Sequence, residues 1–373
     1  MFVDFQKAFD TVNHSILIKK LDHYGIRGSI NDWFKSYLTN RKQFVSINGF
    51  NSSPKTIKHG VPQGSVLGPL LFLLYINDLN LCIKNSSSYH FADDTNLLCI
   101  DQTIKKIEKK VNLDLKRLVS WLLANKISLN KTKTELIIFH KPGTNIPTNF
   151  NFKLNGLKLE SSQSIRYLGI YLDDTLSGTF HCNQLATKLI RANAMLSKVR
   201  HFVPAHELLS IYYAIFSSHM VYGCQIWGQN SASLHFKKIE RLQKKAVRIM
   251  SFSSFTAHSE PLFKKFGILK LKDQISLLNC LLIHDQTRNL LPKSFNDFFI
   301  PCSDLYDIGT KRQPGFMFIK QVNSEKYGRQ SIQVSASLMW NHLCETLELN
   351  LLKLNKFTLK TTLTSYFLNT YSD

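Results

Sequence analysis

The pattern of apolar and polar positions changes along the chain, from strands interspersed with helices to helices alone. Apolar residues 2–5 predict a buried strand, and alternation over 43–48 predicts a strand that pairs antiparallel with 55–61. A second hairpin is predicted where strand-like segments 89–91 and 96–100 flank the tetrapeptide Ala-Asp-Asp-Thr. The tip of that hairpin therefore carries two adjacent acids.

Helical periodicity fills the gaps between these strands. Asn13 can cap a helix that ends at Gly25. Further helices are predicted at 29–38, 68–78 and 103–126, and further strands at 135–139, 151–154 and 165–172. This order of elements predicts an α+β domain, an antiparallel sheet flanked by helices in the manner of a split βαβ unit.

Beyond about residue 180 the pattern is helical. Helices are predicted at 183–201, 206–222, 235–250, 272–290 and 331–347, with a polar connection at 301–330. We interpret the charged residues 311–312 and 326–329 of this connection as solvated. The predicted domains are 1–175, a helical and basic 176–255, and a mainly helical 256–373 to which the sequence assigns no role.

Charge points to the class of partner. The chain has 373 residues, of which 44% are apolar, so it can form hydrophobic cores. Its net charge is +21. Residues 1–100 contribute +3 and the remainder +18, which makes a polyanion the expected partner. One predicted helix concentrates this charge in Lys237, Lys238, Arg241, Lys244, Lys245 and Arg248. The alternative is that these residues form only a solvated helix face.

Cysteine usage and hydropathy bear on the compartment. The seven cysteines (82, 99, 182, 224, 280, 302 and 344) include no Cys-x-x-Cys pair, which favours reduced thiols in the nucleus or cytoplasm. The longest apolar stretch, 66–76, is too short to cross a bilayer, and the N-terminal residues do not resemble a signal peptide. We therefore expect no membrane span.

Three acids and one loop are the candidates for chemistry. Asp4 lies in an apolar strand, where an ionised carboxylate is costly unless it is paired or binds a metal. Asp93 and Asp94 could simply serve a turn. Together, however, the three acids predict oxygen ligands for hard divalent cations such as Mg²⁺. The segment 60–69 holds three glycines and two prolines, which allow a close approach of backbone to a ligand.

The order of these motifs resembles that of the reverse transcriptases, most closely those of Jockey-like non-LTR retrotransposons. Residues 2–10 (FVDFQKAFD), 59–69 (HGVPQGSVLGP) and 90–94 (HFADD) resemble motifs A, B and C of that family. Residues 131–135 (KTKTE) resemble motif D, and 164–173 (SIRYLGIYLD) resemble motif E with its Tyr-Leu-Gly primer grip.

The resemblance implies an RNA-directed DNA polymerase with a palm in 1–175, followed by an all-α thumb and a C-terminal helical region. It implies two Mg²⁺ ions, with Mn²⁺ as the alternative, and a primer that is extended by metal-assisted nucleotidyl transfer. The implied residues are Asp4, Asp93 and Asp94 for the metals, Lys133 near the leaving pyrophosphate, Phe9 as a steric gate against the ribose 2′-OH, Pro62, Gln63 and Gly64 against the nascent base pair and template, and Tyr167, Leu168 and Gly169 as the primer grip.

The implied partners are an RNA template, a DNA primer and deoxynucleoside triphosphates, while the oligomeric state is not indicated. The family places a fingers subdomain before motif A, and this sequence begins at motif A. We therefore expect the chain alone to bind primer–template but to extend it poorly or not at all. The alternative is an inactive, truncated relic that binds nucleic acid without catalysis.

Overall fold

A computed structural model describes residues 1–130, 132–147, 150–154, 156–305 and 315–372. Lys131, the first residue of the fourth motif, and the charged pair 311–312 lie outside the described residues. The described chain mixes helices with small, mostly antiparallel sheets, which agrees with the predicted α+β class. It divides into two compact units, Met1–Ile165 and Arg166–Asp373.

A three-stranded antiparallel sheet organises the first unit. Its middle strand is Asp94–Leu98, with Ser87–Phe91 on one side and Phe2–Val3 on the other. Thr95, Asn96 and Leu97 are buried at its centre. The remaining strands of the unit form smaller ladders and are Lys42–Gln43, Ser46–Ile47, Phe50–Asn51, Lys55–Thr56, Phe152–Leu154 and Leu157–Leu159.

The helices of the first unit are His14–His23, Gly28–Leu38, Leu67–Ile76 and Ile104–Ala124, with 3₁₀ turns at Ala8–Asp10 and Leu79–Cys82. Asn13 caps the first helix as predicted, because its side chain accepts a hydrogen bond from the Ile16 N–H at 3.1 Å. Leu17 and Leu21 of that helix are fully buried. The helix Leu67–Ile76 buries one face and exposes Leu70 and Leu73 on the other, and it is anchored by Tyr75, whose hydroxyl donates to the Asn125 carbonyl at 2.5 Å.

Three predicted strands differ from the observed ones. The ladder between Lys42–Gln43 and Lys55–Thr56 is present, but a second tight hairpin lies inside it, with its turn at Asn48-Gly49. Residues 135–139 make only isolated bridges, from Glu135 to Phe2 and from Leu136 to Ser161. The predicted strand 165–172 is a hairpin, Ser164–Tyr167 and Ile170–Asp173, which we call the 164–173 hairpin. The inner hairpin turns at Asn48 and Gly49, and the 164–173 hairpin turns at Leu168 and Gly169. All four residues have positive φ.

The second unit is helical after that hairpin. Its α-helices are Thr179–Val199, Ala205–Tyr212, Ser218–Val221, Cys224–Trp227, Leu234–Met250, Glu260–Phe266, Leu271–Thr287, Ile332–Thr346 and Lys356–Asn369. Single π-helical turns occur at Tyr213–Ser217 and Glu325–Arg329, and 3₁₀ turns at Lys293–Phe295, Cys302–Asp304 and Leu351–Lys353. The helices at 260–266 and 356–369 were not predicted from the sequence. Across the described residues, none of the helices has the length and apolar content to cross a membrane.

Candidate active site

The acidic hairpin, Ser87–Phe91 with Asp94–Leu98, turns on two residues. Phe91 pairs with Asp94, so Ala92 and Asp93 form the loop and Asp93 lies at the tip. Ala92 has a φ of 51°, in the left-handed region that favours glycine. The turn therefore holds local strain beside the acids, as turns at functional sites often do.

Asp4 reaches the same place from the neighbouring strand. Val3 pairs with Thr95 in antiparallel register, so the next residue, Asp4, follows the ladder toward the hairpin tip. The Asp4 carbonyl accepts a hydrogen bond from the Asn130 N–H at 2.8 Å. Its own N–H donates to the Thr134 hydroxyl at 3.5 Å. The backbone of Asp4 is thus held by the segment that follows the long helix Ile104–Ala124.

A cavity of about 430 Å³ opens between these elements, and we call it the acidic cavity. Its wall contains Asp4, Phe5, Gln6, Lys7, Ala8, Phe9, Asp10, Gln63, Asp93, Asn130 and Lys133. Five of the residues predicted for the site, Asp4, Asp93, Phe9, Gln63 and Lys133, therefore meet in one space. They come from segments up to 129 residues apart in sequence, which only the tertiary fold can bring together.

Asp94 is exposed at the start of its strand and is not part of the described cavity wall. Partial burial raises the pKa of its carboxyl above the usual range, and the charges of Asp93 and then Asp4 raise it further. The charges of Asp93 and Asp4 therefore act on the Asp94 carboxylate. A cation placed among them would relieve this repulsion.

Motif A and motif B are bound to each other through their backbones. The Gly60 N–H donates to the Val12 carbonyl at 2.7 Å, and the Val61 N–H donates to the Phe9 carbonyl at 2.8 Å. Gly60 has a φ of 89°, and a Cβ atom there would lie 2.8 Å from the Asp10 carbonyl oxygen. Only glycine therefore allows the two loops to approach this closely.

Gln63 is positioned by an acid that the sequence analysis did not single out. The Gln63 side-chain amide donates to the Asp10 carboxylate at 2.8 Å, and both residues belong to the cavity wall. Gly64 is exposed with a φ of 79°, and Pro62 accepts a hydrogen bond from the Ser65 hydroxyl at 2.7 Å. Neither Pro62 nor Gly64 is part of that wall.

Phe9 and Lys133 occupy defined positions in the wall. Phe9 is half-buried, and its ring lies 4.5 Å from the ring of Phe72, which is fully buried in the core. Lys133 is exposed and follows Asn130, whose carbonyl accepts hydrogen bonds from the N–H groups of Lys133 and Thr134. Asn130 and Asp10 are thus cavity residues that the sequence analysis missed. Their roles depend on contacts that no local pattern encodes.

The carboxylate oxygens of Asp4 and Asp93 suit a divalent cation that also binds substrate phosphates. Among the described residues, no cluster of three or more acidic, histidine or cysteine side chains is arranged to hold a metal alone. Asp4 and Asp93, however, face one cavity, and no hydrogen bond or ion pair to either carboxylate is seen from the described part of the chain. Mg²⁺ is commonly held by one or two carboxylates with phosphates completing its coordination.

The residues predicted as a primer grip lie in the second unit. In the 164–173 hairpin, Leu168 and Gly169 form the turn, with φ values of 44° and 83°. The Tyr222 hydroxyl donates to the Leu168 carbonyl at 2.7 Å, and a Cβ on Gly169 would lie 3.1 Å from the Tyr222 ring. Tyr222 therefore packs directly on the turn and fixes its backbone.

The helix Leu234–Met250, which we call the basic helix, buries one face and leaves its cations outside. Lys237, Lys238, Arg241 and Lys245 are exposed, and Lys244 is half-exposed. Lys238 donates to the Asn183 side chain at 3.1 Å but stays exposed, whereas Arg248 is half-buried and its guanidinium donates to the Ala257 carbonyl at 2.8 Å. We therefore leave Arg248 out of the exposed cationic face.

Known proteins resemble this chain in the same region. A family model described as reverse transcriptase (RNA-dependent DNA polymerase) matches residues 1–172. The probable RNA-directed DNA polymerase from transposon BS of Drosophila melanogaster is 28% identical over 304 residues, covering 74% of this chain and 31% of the relative. The RNA-directed DNA polymerase from mobile element jockey of the same species is 28% identical over 285 residues, covering 74% and 30%.

A third relative, the probable RNA-directed DNA polymerase from transposon X-element of Drosophila melanogaster, is 26% identical over 289 residues. The chain spans about a third of the length of these curated relatives. The matches confirm the resemblance to Jockey-like elements that motifs A to E predicted.

Proposed function

We propose that this chain carries the nucleotidyl-transfer site of an RNA-directed DNA polymerase, because the family model described as reverse transcriptase matches residues 1–172. The reaction joins the 3′ oxygen of a DNA primer to the α-phosphorus of a deoxynucleoside triphosphate and releases pyrophosphate. The proposed partners are accordingly an RNA template, a DNA primer and deoxynucleoside triphosphates.

The observation that carries the proposal is that Asp4 and Asp93 face the same cavity. Enzymes of this family are generally dependent on a divalent metal. Asp4 and Asp93 would hold the two Mg²⁺ ions, and Asp94 would add negative charge beside them. When bound, the cations would lower the pKa of the primer hydroxyl and neutralise charge on the triphosphate. Positioning is the main contribution left to the protein.

Other residues of the acidic cavity have roles consistent with this chemistry. The ring of Phe9, supported by Phe72, would exclude a ribose 2′-OH and so favour deoxynucleotides. Gln63, fixed by Asp10, would contact the nascent base pair and template together with Pro62 and Gly64. Lys133 would donate a hydrogen bond or proton near the leaving pyrophosphate. Each role is supported by the place of the side chain in or beside the cavity wall.

The second unit would hold the nucleic acid. We propose a palm in 1–175, a thumb in 176–255 whose basic helix contacts the phosphate backbone, and a primer grip at Tyr167–Gly169. The exposed cations of the basic helix support the second assignment, and the backbone fixed by Tyr222 supports the third. All seven cysteines are free thiols, which supports a nuclear or cytoplasmic location.

Primer extension on an RNA template tests the proposal. Mg²⁺-dependent extension should fall about 100- to 1000-fold in Asp93→Asn and in Asp4→Asn, because each removes a carboxylate that would hold a cation against the reacting phosphate. Extension that survives both substitutions would contradict the site assignment. Binding of primer–template without any extension, even when an upstream fingers segment is supplied, would favour the alternative, a non-catalytic nucleic-acid-binding protein.

A further inference from the structure

One lysine of the C-terminal region, Lys326, makes a contact that its neighbouring residues in sequence did not indicate. Lys326 and Tyr327 lie in the π-helical turn Glu325–Arg329, which we call the 325–329 turn. The Lys326 ammonium donates to the Thr175 carbonyl at 2.9 Å, and the Tyr327 hydroxyl donates to the same oxygen at 3.0 Å. The interpretation of Lys326 as a solvated charge is therefore wrong.

Thr175 is also bound to the last residue of the 164–173 hairpin. Its hydroxyl donates to the Asp173 carboxylate at 2.9 Å, and the same carboxylate accepts from the N–H groups of Ser177 at 2.7 Å and Gly178 at 2.9 Å. Burial raises the pKa of Asp173, but the hydrogen bonds from Ser177, Thr175 and Gly178 outweigh it and hold the pKa below the usual range. Asp173 thus stays ionised and fixes the loop that leaves the hairpin.

The local backbone around the 325–329 turn is equally well defined. The Ser324 hydroxyl accepts a hydrogen bond from the Tyr327 N–H at 3.3 Å, and the Lys326 ammonium lies 5.1 Å from the Tyr327 ring centroid. Gly328 is buried, and a Cβ there would lie 2.7 Å from the Val322 side chain. The two donors are therefore presented from a close-packed turn that a flexible surface segment would not provide.

We propose that Lys326 and Tyr327 are positioning residues for the primer grip, acting through Thr175 and Asp173 on the 164–173 hairpin. This inference rests on the proposed function. It assigns a role to the C-terminal region: with Tyr222 at the turn of the hairpin, the two donors hold its other end. Groups that position a reacting end must be rigid, because displacement of about 1 Å can cost about 100-fold in rate.

The experiment compares the affinity of the full chain for two RNA–DNA hybrids of equal length, one with a recessed primer 3′ end and one blunt. The proposed function predicts that the wild type prefers the recessed hybrid. In the double variant Lys326→Met/Tyr327→Phe this preference should fall about tenfold, because a charge-assisted and a neutral hydrogen bond are both lost. Affinity for the blunt hybrid should be unchanged, and the melting temperature measured in parallel should fall by only a few degrees, as expected for two lost hydrogen bonds.

Two single variants complete the design. Lys326→Arg keeps a cationic donor and should retain most of the preference. Lys320→Met removes an exposed lysine nearby in sequence and should leave the preference intact. Unchanged preference in the double variant would overturn the inference while leaving the proposed function standing. Absence of any preference in the wild type would instead contradict the proposed function, and the inference with it.

Discussion

Val3 and Thr95 are directly paired across two antiparallel strands, and this one pair brings the two acids of the acidic cavity together. Asp4 follows Val3, and Asp93 precedes Thr95 by two residues around the turn. The geometry of the site is therefore set by backbone hydrogen bonding, while the acidic side chains themselves repel one another.

The first prediction concerns cation binding. Asp4→Asn and Asp93→Asn should each weaken Mn²⁺ binding by at least about tenfold, since even the loss of an outer-shell partner costs that much in metal sites. Mn²⁺ affinity is measured from the decrease of the free Mn²⁺ signal in electron paramagnetic resonance as protein is added. Asp32→Asn is the matched control, because Asp32 is an exposed carboxylate on the helix Gly28–Leu38. An equal loss in the control would contradict the assignment.

The second prediction concerns pH. The pKa of Asp94 is raised above 3.8 in the folded state, so ionised Asp94 destabilises the fold at neutral pH. Asp94→Asn should therefore raise the melting temperature at neutral pH without divalent cations. The gain should shrink as pH falls through the raised pKa toward 3.8, and Mg²⁺ at neutral pH should shrink it as well. A gain that is independent of pH would show that the charge is not its cause.

Gly60 gives a stability prediction with an internal control. Gly60→Ala and Gly25→Ala both place a side chain at a φ near 90°, which costs about 1 kcal/mol. At Gly25 no atom of the described residues, apart from its two chain neighbours, lies within 4 Å of the added Cβ, whereas at Gly60 the Asp10 backbone is in the way. Urea denaturation should therefore show a free energy of unfolding about 1–3 kcal/mol lower for Gly60→Ala than for Gly25→Ala. Equal losses would mean that the two loops can separate freely.

The contact between Gln63 and Asp10 can be tested by a double-mutant cycle. Gln63→Leu and Asp10→Ala should each raise the KM for the templated nucleotide, and the double variant should be little worse than either single one. Asp10→Asn keeps an acceptor oxygen and should lie close to the wild type. Strictly additive effects would show that the two side chains act separately.

The exposed lysines of the basic helix predict that the affinity for primer–template depends on salt concentration. Converting Lys237, Lys238, Lys244 and Lys245 to Gln should weaken primer–template binding and reduce the slope of log affinity against log salt, by up to about four. The control converts the same number of lysines on the helix Ile104–Ala124, namely Lys105, Lys106, Lys109 and Lys116. If both sets change the slope equally, binding follows total charge and the basic helix has no special role.

Local patterns predicted the parts of this molecule whose causes are local. The cap of Asn13 and the acidic hairpin depend on neighbouring residues, and both are present. The prediction of two acids at the hairpin tip was wrong for Asp94, which pairs with Phe91 and begins the second strand. The turn at Leu168-Gly169 was predicted as continuous strand, although its glycine was a visible signal. Asn355 likewise caps the missed helix Lys356–Asn369, accepting from the Thr358 N–H at 2.8 Å.

The remaining site residues follow from tertiary contacts. Asp10 and Asn130 enter the acidic cavity because the loops of motifs A and B and the segment after Ile104–Ala124 converge there. The Lys326 ammonium donates to the carbonyl of Thr175, which lies 151 residues earlier in the chain. A single sequence contains no periodicity or spacing from which such long-range pairs could be deduced.

The Val3–Thr95 pair also determines when the site can form during folding. The pair closes a loop of 92 residues, and the entropy of closing a flexible loop of that length is about 4 kcal/mol, before any contact compensates it. Contacts between segments this far apart in sequence form slowly, so we expect the two acids to meet after the local helices have formed. On the ribosome, a nascent chain that ends before the acidic hairpin contains Asp4 but lacks the strand Asp94–Leu98, with which Phe2–Val3 pairs. Synthesis and folding of the hairpin thus set the earliest moment at which Asp4 and Asp93 can face one cavity.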